Sequence, residues 1–159
     1  MRDKIKIKLL PFSVKRINDY FRWFNDKKVR RYLVPETPKT KEEIKEWIIK
    51  TIKDKSCRYY SIFLIKKKKY VGHIGLKKIN LVKKQAEIGV VIGEKKYWRK
   101  GIATTAYFLL LRKIKRLRLK KIFAKVNKDN IASIKFFSKL RFKRLDKKNK
   151  DYLTFIFIF

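Results

Sequence analysis

The sequence is poor in the residues that build disulfide bridges and zinc sites. Cys57 is the only cysteine among 159 residues, so no disulfide can form within the chain. A single histidine, His73, cannot supply the cluster of sulfur and nitrogen ligands that a zinc site needs. We therefore expect a protein of a reducing compartment, the cytoplasm, that uses no metal.

Long apolar runs are also missing. The longest, 107–111 and 152–159, are far shorter than the roughly 20 residues that cross a bilayer. No charged and then apolar segment opens the chain, so neither a signal peptide nor a membrane contact is expected. The length suits one domain over residues 1–159, and 45% hydrophobic residues are enough to fill its core.

Acidic residues are scarce: 47 lysines and arginines face 13 aspartates and glutamates, a formal net charge of +34. A balanced surface would carry a magnitude of roughly 2 to 8. One interpretation is an anionic partner such as nucleic acid, the ribosome or a phosphorylated substrate. The other is compositional drift, because AT-rich codons favour the abundant lysine, isoleucine and phenylalanine. Four glutamates between Glu36 and Glu46 predict one less positive face.

Apolar periodicity predicts alternating strands and helices. Strands are predicted at 4–10, 58–65, 70–79, 86–92, 121–126 and 152–159. Helices are predicted at 14–25 with a break before 30–33, then at 40–52, 102–116 and 130–140. Thr40 and Glu43 have the spacing of a capping box. The last strand is apolar at nearly every position, so we expect it between two neighbours rather than at an edge.

Residues 86–106, AEIGVVIGEKKYWRKGIATTA, predict a strand, a basic loop and a helix start in one run. Gly89 and Gly93 interrupt the strand, which is expected to splay there. The loop carries four cations: Lys95, Lys96, Arg99 and Lys100. Such a loop is often only a solvated cap. Together with the free amides and the positive dipole end of the helix, however, these cations favour a phosphate site.

This run resembles motif A of the GNAT acetyltransferases, whose pyrophosphate loop is commonly written Q/R-x-x-G-x-G/A. Gly101 and Ala103 match the last two fixed positions. Trp98 stands at the first, as in the branch resembling ribosomal-protein, spermidine and amino-sugar acetyltransferases. Arg99 stands where that branch usually has glycine. If this position requires a positive φ, arginine costs about 1 kcal/mol there, although its guanidinium could contact phosphate.

The resemblance extends from end to end. It implies an α/β (α+β) GNAT domain with a central mixed, mostly antiparallel sheet of about seven strands, a splayed central strand and about four helices. It also implies acetyl-CoA as cosubstrate. The residues expected to bind it are Val90, Val91, Ile92, Trp98, Arg99, Lys100, Gly101, Ile102, Ala103, Thr104, Asn130 and Ser133.

A second stretch, 130–142, resembles the family pattern N-x-x-S-I-x-x-Y-x-K-L-G-F, with Phe137 in place of tyrosine and Arg141 in place of glycine. That tyrosine is commonly assigned as the acid that reprotonates the leaving thiolate. Ser133 or Ser138 could act instead, directly or through a water. A thiol with a pKa of about 8.5 could also leave without an acid.

Glu87 is the carboxylate embedded in the predicted central strand, and it is our candidate general base. Partial burial would raise its pKa towards neutrality, where a base works well through a water. The alternative is an ion pair with Lys77 or Lys78. His73 is the other candidate base, although a lone strand histidine is more often structural. Backbone amides around Val90 and Val91 would polarise the thioester carbonyl.

The N-terminal half carries a further resemblance. Trp23, Asn25 and Asp26, then EEIKEWI at 42–48 and GHIG at 72–75, look like acetyltransferases of amino-sugar biosynthesis. The prediction is therefore an N-acetyltransferase whose acceptor is a small, anionic amine, an amino-sugar nucleotide. The alternatives are a protein N-terminus such as that of a ribosomal protein, another small amine, or a weakly catalytic relic that binds nucleic acid or the ribosome. The oligomeric state is left open, with a homodimer as one option.

Overall fold

The computed structural model describes residues 4–146 and 148–159, which form one seven-stranded sheet with helices on both faces. The strands are β1 (Ile7–Pro11), β2 (Arg58–Leu64), β3 (Lys69–Asn80), β4 (Gln85–Ile92), β5 (Lys121–Asn127), β6 (Lys143–Leu145) and β7 (Tyr152–Ile158). The helices are α1 (Ile17–Phe24), α2 (Lys27–Arg30), α3 (Lys41–Lys53), α4 (Ile102–Ile114) and α5 (Ile131–Lys139).

The strand order is β1-β2-β3-β4-β5-β7-β6, and every neighbouring pair is antiparallel except β4 and β5, which are parallel. The predicted fold class is confirmed, with five helices among the described residues instead of about four because the broken first helix contributes both α1 and α2. β7 lies between β5 and β6, as its apolar sequence predicted.

The parallel pair is the feature that positions the site. β4 and β5 are paired only from Gln85 to Glu87, opposite 121–123, although β4 continues to Ile92 and β5 to Asn127. Beyond Glu87 the two strands therefore diverge, and the edge of β4 that faces β5 is left unpaired. The predicted splay of the central strand is confirmed.

The two faces of the sheet bury different kinds of side chain. On one face α4 packs Ala106, Leu110 and Ile114 against a mainly aliphatic core that also contains a few aromatic rings. On the other face α1 and α3 bury an aromatic-rich cluster that includes Tyr20 and Trp23. The sequence of β4 alternates between these faces, so Ala86 and Ile88 contact the aliphatic core, whereas Glu87 and Gly89 face the side of α1 and α3.

Several predicted boundaries move by a few residues. β1 includes Pro11, which the sequence placed after the strand; an edge strand tolerates proline because it needs no hydrogen bond on its outer side. α4 ends at Ile114 and continues as a 3₁₀ turn over Lys115–Leu117. The capping box of Thr40 and Glu43 at the start of α3 is present.

Candidate active site

The start of α4 presents three backbone amides, those of 102–104, that have no helical partner; the first bond of the helix runs from the Thr105 amide to the Gly101 carbonyl at 3.1 Å. Gly101 is the N-cap residue with a φ of 76°, in the left-handed region. Apart from its own chain neighbours, no atom of the described residues lies within 4 Å of the place that a Cβ on Gly101 would take. The helix N-terminus is therefore open to a ligand.

The four loop cations do not all face this opening freely. Lys95 forms an ion pair with Asp26, and the Lys96 ammonium lies 5.2 Å from the centroid of the Tyr97 ring. Within the described part of the chain, Arg99 and Lys100 form no ion pair. Of the four predicted cations, only Lys95 is paired with a carboxylate among the described residues.

The end of β4 leads directly to this loop. Val90, Val91 and Ile92 are half-buried and pair on one side with β3, while their other edge lies in the splay. The indole nitrogen of Trp98 donates to the Ile92 carbonyl at 2.7 Å, which ties the loop to the end of the strand. An extended chain can lie along the unpaired edge and end in an anionic group at the α4 N-terminus.

The N-terminus of α5 lies at the same edge of the sheet, because parallel strands β4 and β5 end on the same side. Asn130 caps α5 by accepting a hydrogen bond from the Ser133 amide at 3.2 Å. The structure thus brings the predicted residues of β4, the loop, α4 and α5 to the mouth of one splay. Their role in binding stays a prediction.

Phe137 belongs to the core and not to the cleft. Its side chain is 4% exposed, and its ring lies 5.1 Å from the Phe142 ring. Arg141, one position after the C-cap of α5, has a φ of 65°. The two departures from the family pattern therefore have clear local consequences: a core phenyl ring supplies no proton, and an arginine occupies a left-handed position that favours glycine.

Glu87 is 8% exposed and lies between two lysines. Its two carboxylate oxygens are each 3.1 Å from an ammonium, Oε1 from Lys77 and Oε2 from Lys78. Desolvation acts to raise the pKa of Glu87, but the charges and hydrogen bonds of Lys77 and Lys78 outweigh it, so the pKa lies below its ordinary value. The prediction of a raised pKa is wrong, because burial came together with two cations.

His73 is enclosed by aromatic rings on the α1 and α3 side of the sheet. Its Nδ1 lies 2.9 Å from the Tyr20 hydroxyl, and the rings of Trp47 and Tyr59 are within 6 Å. Burial, together with the charge of Lys77, lowers the pKa of His73 to about 3. The imidazole is therefore neutral and hydrogen-bonded within the core, which supports the structural interpretation.

The Trp-x-Asn-Asp segment also has a structural explanation. Trp23 donates to Glu94 at 3.0 Å, and the amide of Asn25 donates to the carbonyls of Phe21 and Lys39. Asp26 caps α2 through the amides of residues 28 and 29. Trp23 and Asp26, the latter through its ion pair with Lys95, dock α1 and α2 against the basic loop. The segment therefore does not by itself identify an acceptor.

Glutamates from the less positive region line a separate open cleft of about 470 Å³ beside α3. Glu36, Glu43 and Glu46 contribute to its wall together with Trp47. Glu43 accepts from the backbone amides of Lys39 and Thr40, and these bonds lower its pKa. No residue of β4 lines this cleft.

Sequence reasoning did not single out Tyr59, whose hydroxyl reaches β4 beside Gly89. The glycines of β3 and β4 were the available signal, but their relation to Tyr59 depends on strand register. Over the described residues, no group of three or more histidine, cysteine, aspartate or glutamate side chains could hold a metal ion. No helix in this part of the chain is long and apolar enough to cross a membrane.

Comparisons with known proteins agree with this architecture. The chain is 36% identical over 77 residues to protein MJ1062 of Methanocaldococcus jannaschii, and the match covers 48% of this chain. The match spans only 16% of the length of that relative.

Solved structures share the whole fold. A domain from Methanocaldococcus jannaschii superposes with a TM-score of 0.82 at 23% identity, over 98% of this chain and 99% of that one. The microcin C7 self-immunity acetyltransferase MccE, in complex with acetyl-CoA and AMP, gives 0.81 at 19% identity over 97% and 93%. A mutant of the spermidine N-acetyltransferase SpeG from Vibrio cholerae gives 0.74 at 19% identity over 97% and 95%.

A family model assigns most of the sequence. The model of the acetyltransferase (GNAT) domain matches residues 6–143, which include the splayed strand, the basic loop after it and the start of α5. This match covers far more than half of the chain, and the acyl donor of the family is acetyl-CoA. The chain belongs to the GNAT acetyltransferase family.

Proposed function

We propose that the domain transfers the acetyl group of acetyl-CoA to the primary amine of a small anionic acceptor, an amino-sugar nucleotide. One observation carries the proposal: the edge of β4 is unpaired beyond Glu87 and leads to the free amides at the start of α4. This combination suits a long molecule with a neutral arm and a diphosphate, and acetyl-CoA has that form.

The residues at the cleft fit such a cosubstrate. Arg99, Lys100 and the amides of 102–104 would hold the diphosphate by charge and by hydrogen bonds. The unpaired edge of Val90, Val91 and Ile92 would pair with the pantetheine arm in the manner of an added strand. On the opposite side, Asn130 and Ser133 lie where they would contact the same arm.

Acetyl-CoA supplies an activated acetyl group in the form of a thioester when it is bound. The amides of Val90 and Val91 would stabilise negative charge on the carbonyl oxygen. Glu87 remains the proposed general base, acting through a water. Because its pKa is lowered, Glu87 is ionised throughout the neutral range. It can therefore accept a proton from the water and then release it to solvent.

The charge of the protein favours an anionic acceptor. The net charge is +34, and no acidic residue occurs between Glu94 and Asp129, the segment that includes the phosphate loop and α4. Such a field attracts anions and raises their association rate. MccE, which shares the fold, was solved in complex with acetyl-CoA and AMP, and this supports a nucleotide-bearing acceptor.

A second candidate is a cationic amine. The cleft lined by Glu36, Glu43 and Glu46 would offset the positive field locally, and a spermidine acetyltransferase shares the fold. This cleft has no lining residue on β4, so its glutamates would act at a distance from the proposed reaction centre. The anionic acceptor is therefore our first proposal.

The test is to incubate the protein with acetyl-CoA and a panel of amines while thiol release is followed. The panel contains a nucleoside-diphosphate amino sugar with a free amine, a peptide with a free N-terminus, and spermidine. Because exposed charges are screened over about 10 Å at 0.1 M salt, we expect kcat/KM for the nucleotide sugar to fall as ionic strength rises. The value for spermidine should stay level or rise.

A higher kcat/KM for spermidine than for the nucleotide sugar at low salt would contradict the proposed acceptor and favour the cationic amine. No thiol release with any amine, together with tight, salt-sensitive binding of RNA, would instead support a relic that binds nucleic acid. A triple variant separates the two acceptor classes: it carries Glu36→Gln, Glu43→Gln and Glu46→Gln. Only turnover of spermidine should depend on these glutamates of the cleft.

A further inference from the structure

Three residues form a line across the face of the sheet on the α1 and α3 side. Tyr59 of β2 is paired with Gly75 of β3, and Gly75 is paired with Gly89 of β4. A Cβ on Gly75 would lie 2.8 Å from Cδ1 of Tyr59, closer than real Cβ contacts allow. The tyrosine ring therefore lies across β3 in the space that a side chain at Gly75 would fill.

The far end of this ring reaches β4. The Tyr59 hydroxyl oxygen lies 3.6 Å from the place that a Cβ on Gly89 would take, and no other atom is within 4 Å of that place among the described residues. Gly89 lies two positions beyond Glu87, the last residue of β4 that is paired with β5. The space over Gly89 is therefore open and adjoins both the splay and the tyrosine hydroxyl.

The ring of Tyr59 is fixed by packing, but its hydroxyl makes no hydrogen bond among the described residues. Its ring packs 5.6 Å from the ring of Phe12 and 5.3 Å from that of His73, whereas its oxygen has no hydrogen-bond partner among the described residues. Burial, aided by the charges of Cys57 and Glu87, raises the pKa of Tyr59. The phenol stays neutral at physiological pH and can both accept and donate a hydrogen bond.

We propose that Tyr59 binds the acceptor amine over Gly89, with its hydroxyl oxygen accepting a hydrogen bond from the amine N–H. This inference rests on the proposed acetyl transfer and adds the residue that orients the nucleophile. One N–H directed at Tyr59 leaves the nitrogen lone pair free to point towards the unpaired edge of β4. Glu87, two positions away on the same strand face, would receive through an intervening water the proton that the amine must lose.

Two glycines serve different purposes in this arrangement, and the difference makes the proposal testable. At Gly75 a methyl group would meet the backbone of β2, with the Arg58 carbonyl oxygen at 2.5 Å. At Gly89 a methyl group would meet only the Tyr59 hydroxyl at 3.6 Å, an ordinary contact. Gly89→Ala should therefore fold normally, and its methyl group would occupy the space assigned to the amine.

The experiment compares Tyr59→Phe, Gly89→Ala and the control Tyr60→Phe. Tyr60 lies on the opposite face of the same strand, under the Lys113 ammonium, so its variant loses a phenol hydroxyl away from Gly89. Calorimetry measures the affinity for CoA, and then the affinity of the CoA complex for the best amine of the panel. Steady-state rates with acetyl-CoA and the same amine complete the set.

We expect Tyr59→Phe to weaken amine binding to the CoA complex and to lower kcat/KM for the amine about tenfold, as for loss of one hydrogen bond. Gly89→Ala should lower both by at least as much, while CoA affinity and melting temperature stay unchanged. Tyr60→Phe should match the wild type in every measurement.

Unchanged amine binding and turnover in Tyr59→Phe or in Gly89→Ala would overturn the inference. A loss of CoA affinity in Gly89→Ala would also overturn it, because the space would then belong to the cosubstrate. Failure of the wild type to acetylate any amine is a separate result: it overturns the proposed function and this inference with it. Turnover that the variants leave intact overturns this inference alone.

Discussion

Trp23 and Glu94, which are 71 positions apart in sequence, are joined by a hydrogen bond of 3.0 Å from the indole nitrogen to the carboxylate. Gly93, next to Glu94, has no side chain, and a Cβ there would collide with the Trp23 ring. Arg22 and Lys69 neutralise the same carboxylate. The end of β4 and the basic loop that follows it are thereby held against α1.

Replacing Glu94 with glutamine tests this junction. We expect the free energy of unfolding at pH 7 to fall by about 2 kcal/mol, since hydrogen bonds to a buried charged group contribute about 1.5 to 3 kcal/mol. Urea denaturation measures the change. Asp19→Asn is the matched control: Asp19 is also paired with arginines but is more exposed, and its loss should cost less than about 1 kcal/mol. Equal losses would contradict the assignment.

His73 makes stability depend on pH. Its pKa is about 3 in the folded protein and about 6.5 when unfolded. Between about pH 6.5 and pH 3 the unfolded chain therefore binds a proton at His73 that the folded protein does not bind. The free energy of unfolding should fall as the pH drops through this interval, by at most about 1.4 kcal/mol per pH unit. Urea denaturation between pH 7 and pH 5 checks the slope.

His73→Gln provides the comparison, because glutamine can still bond to the Tyr20 hydroxyl but does not titrate. Its stability should be lower at pH 7 and should change less between pH 7 and pH 5. A wild type whose stability is constant over that interval would show that His73 charges without cost in the folded state.

Gly101 needs its left-handed backbone, with a φ of 76°. Gly101→Val should lower the free energy of unfolding by about 1 to 2 kcal/mol and should strongly weaken CoA binding, since its side chain enters the space before the α4 amides. Calorimetry and thermal denaturation measure the two effects. Gly101→Asn separates them, because asparagine tolerates a positive φ. Full CoA affinity in a folded Gly101→Val protein would argue against the phosphate site.

Arg99 and Arg141 have φ values of 58° and 65°, at two positions where the family pattern has glycine. Each replacement by glycine should stabilise the fold by up to about 1 kcal/mol, because the left-handed region costs an L-residue about that much. Only Arg99→Gly should weaken CoA binding, and mainly at low salt. If Arg141→Gly weakened CoA binding equally, a general change of the fold would explain both results.

Glu87→Gln should lower kcat about a hundredfold, the smaller end of the range for a general base, and leave CoA affinity unchanged. Because the pKa of Glu87 is lowered, its carboxylate stays ionised between pH 6 and pH 9. Protonation of Glu87 should therefore cause no loss of wild-type rate over this interval. Stopped-flow thiol release over that interval measures the profile. Normal turnover with a reduced melting temperature would instead assign Glu87 to its ion pairs with Lys77 and Lys78.

Local sequence determined the strand, loop and helix of 86–106 and the interior position of β7. These features depend on neighbouring residues: two glycines that interrupt an apolar strand, a run of cations before small residues, and a strand that is apolar on both faces. The positive φ of Arg99 did not follow from neighbouring residues: only the resemblance to the family pattern, which has glycine at that position, raised it as a condition.

Tertiary structure decided the surroundings of the reactive groups. Lys77 and Lys78 both reach Glu87, which neighbouring residues of a regular strand could not do; the pairing of β3 with β4 is irregular after Lys77, and Lys78 has a φ of 53°. The hydroxyl of Tyr59 meets Gly89 only because the registers of two strand pairs place Gly75 between them. Sequence patterns identify which faces are buried, but register and bulges determine which distant side chains share a face, and these depend on the packing of the whole sheet.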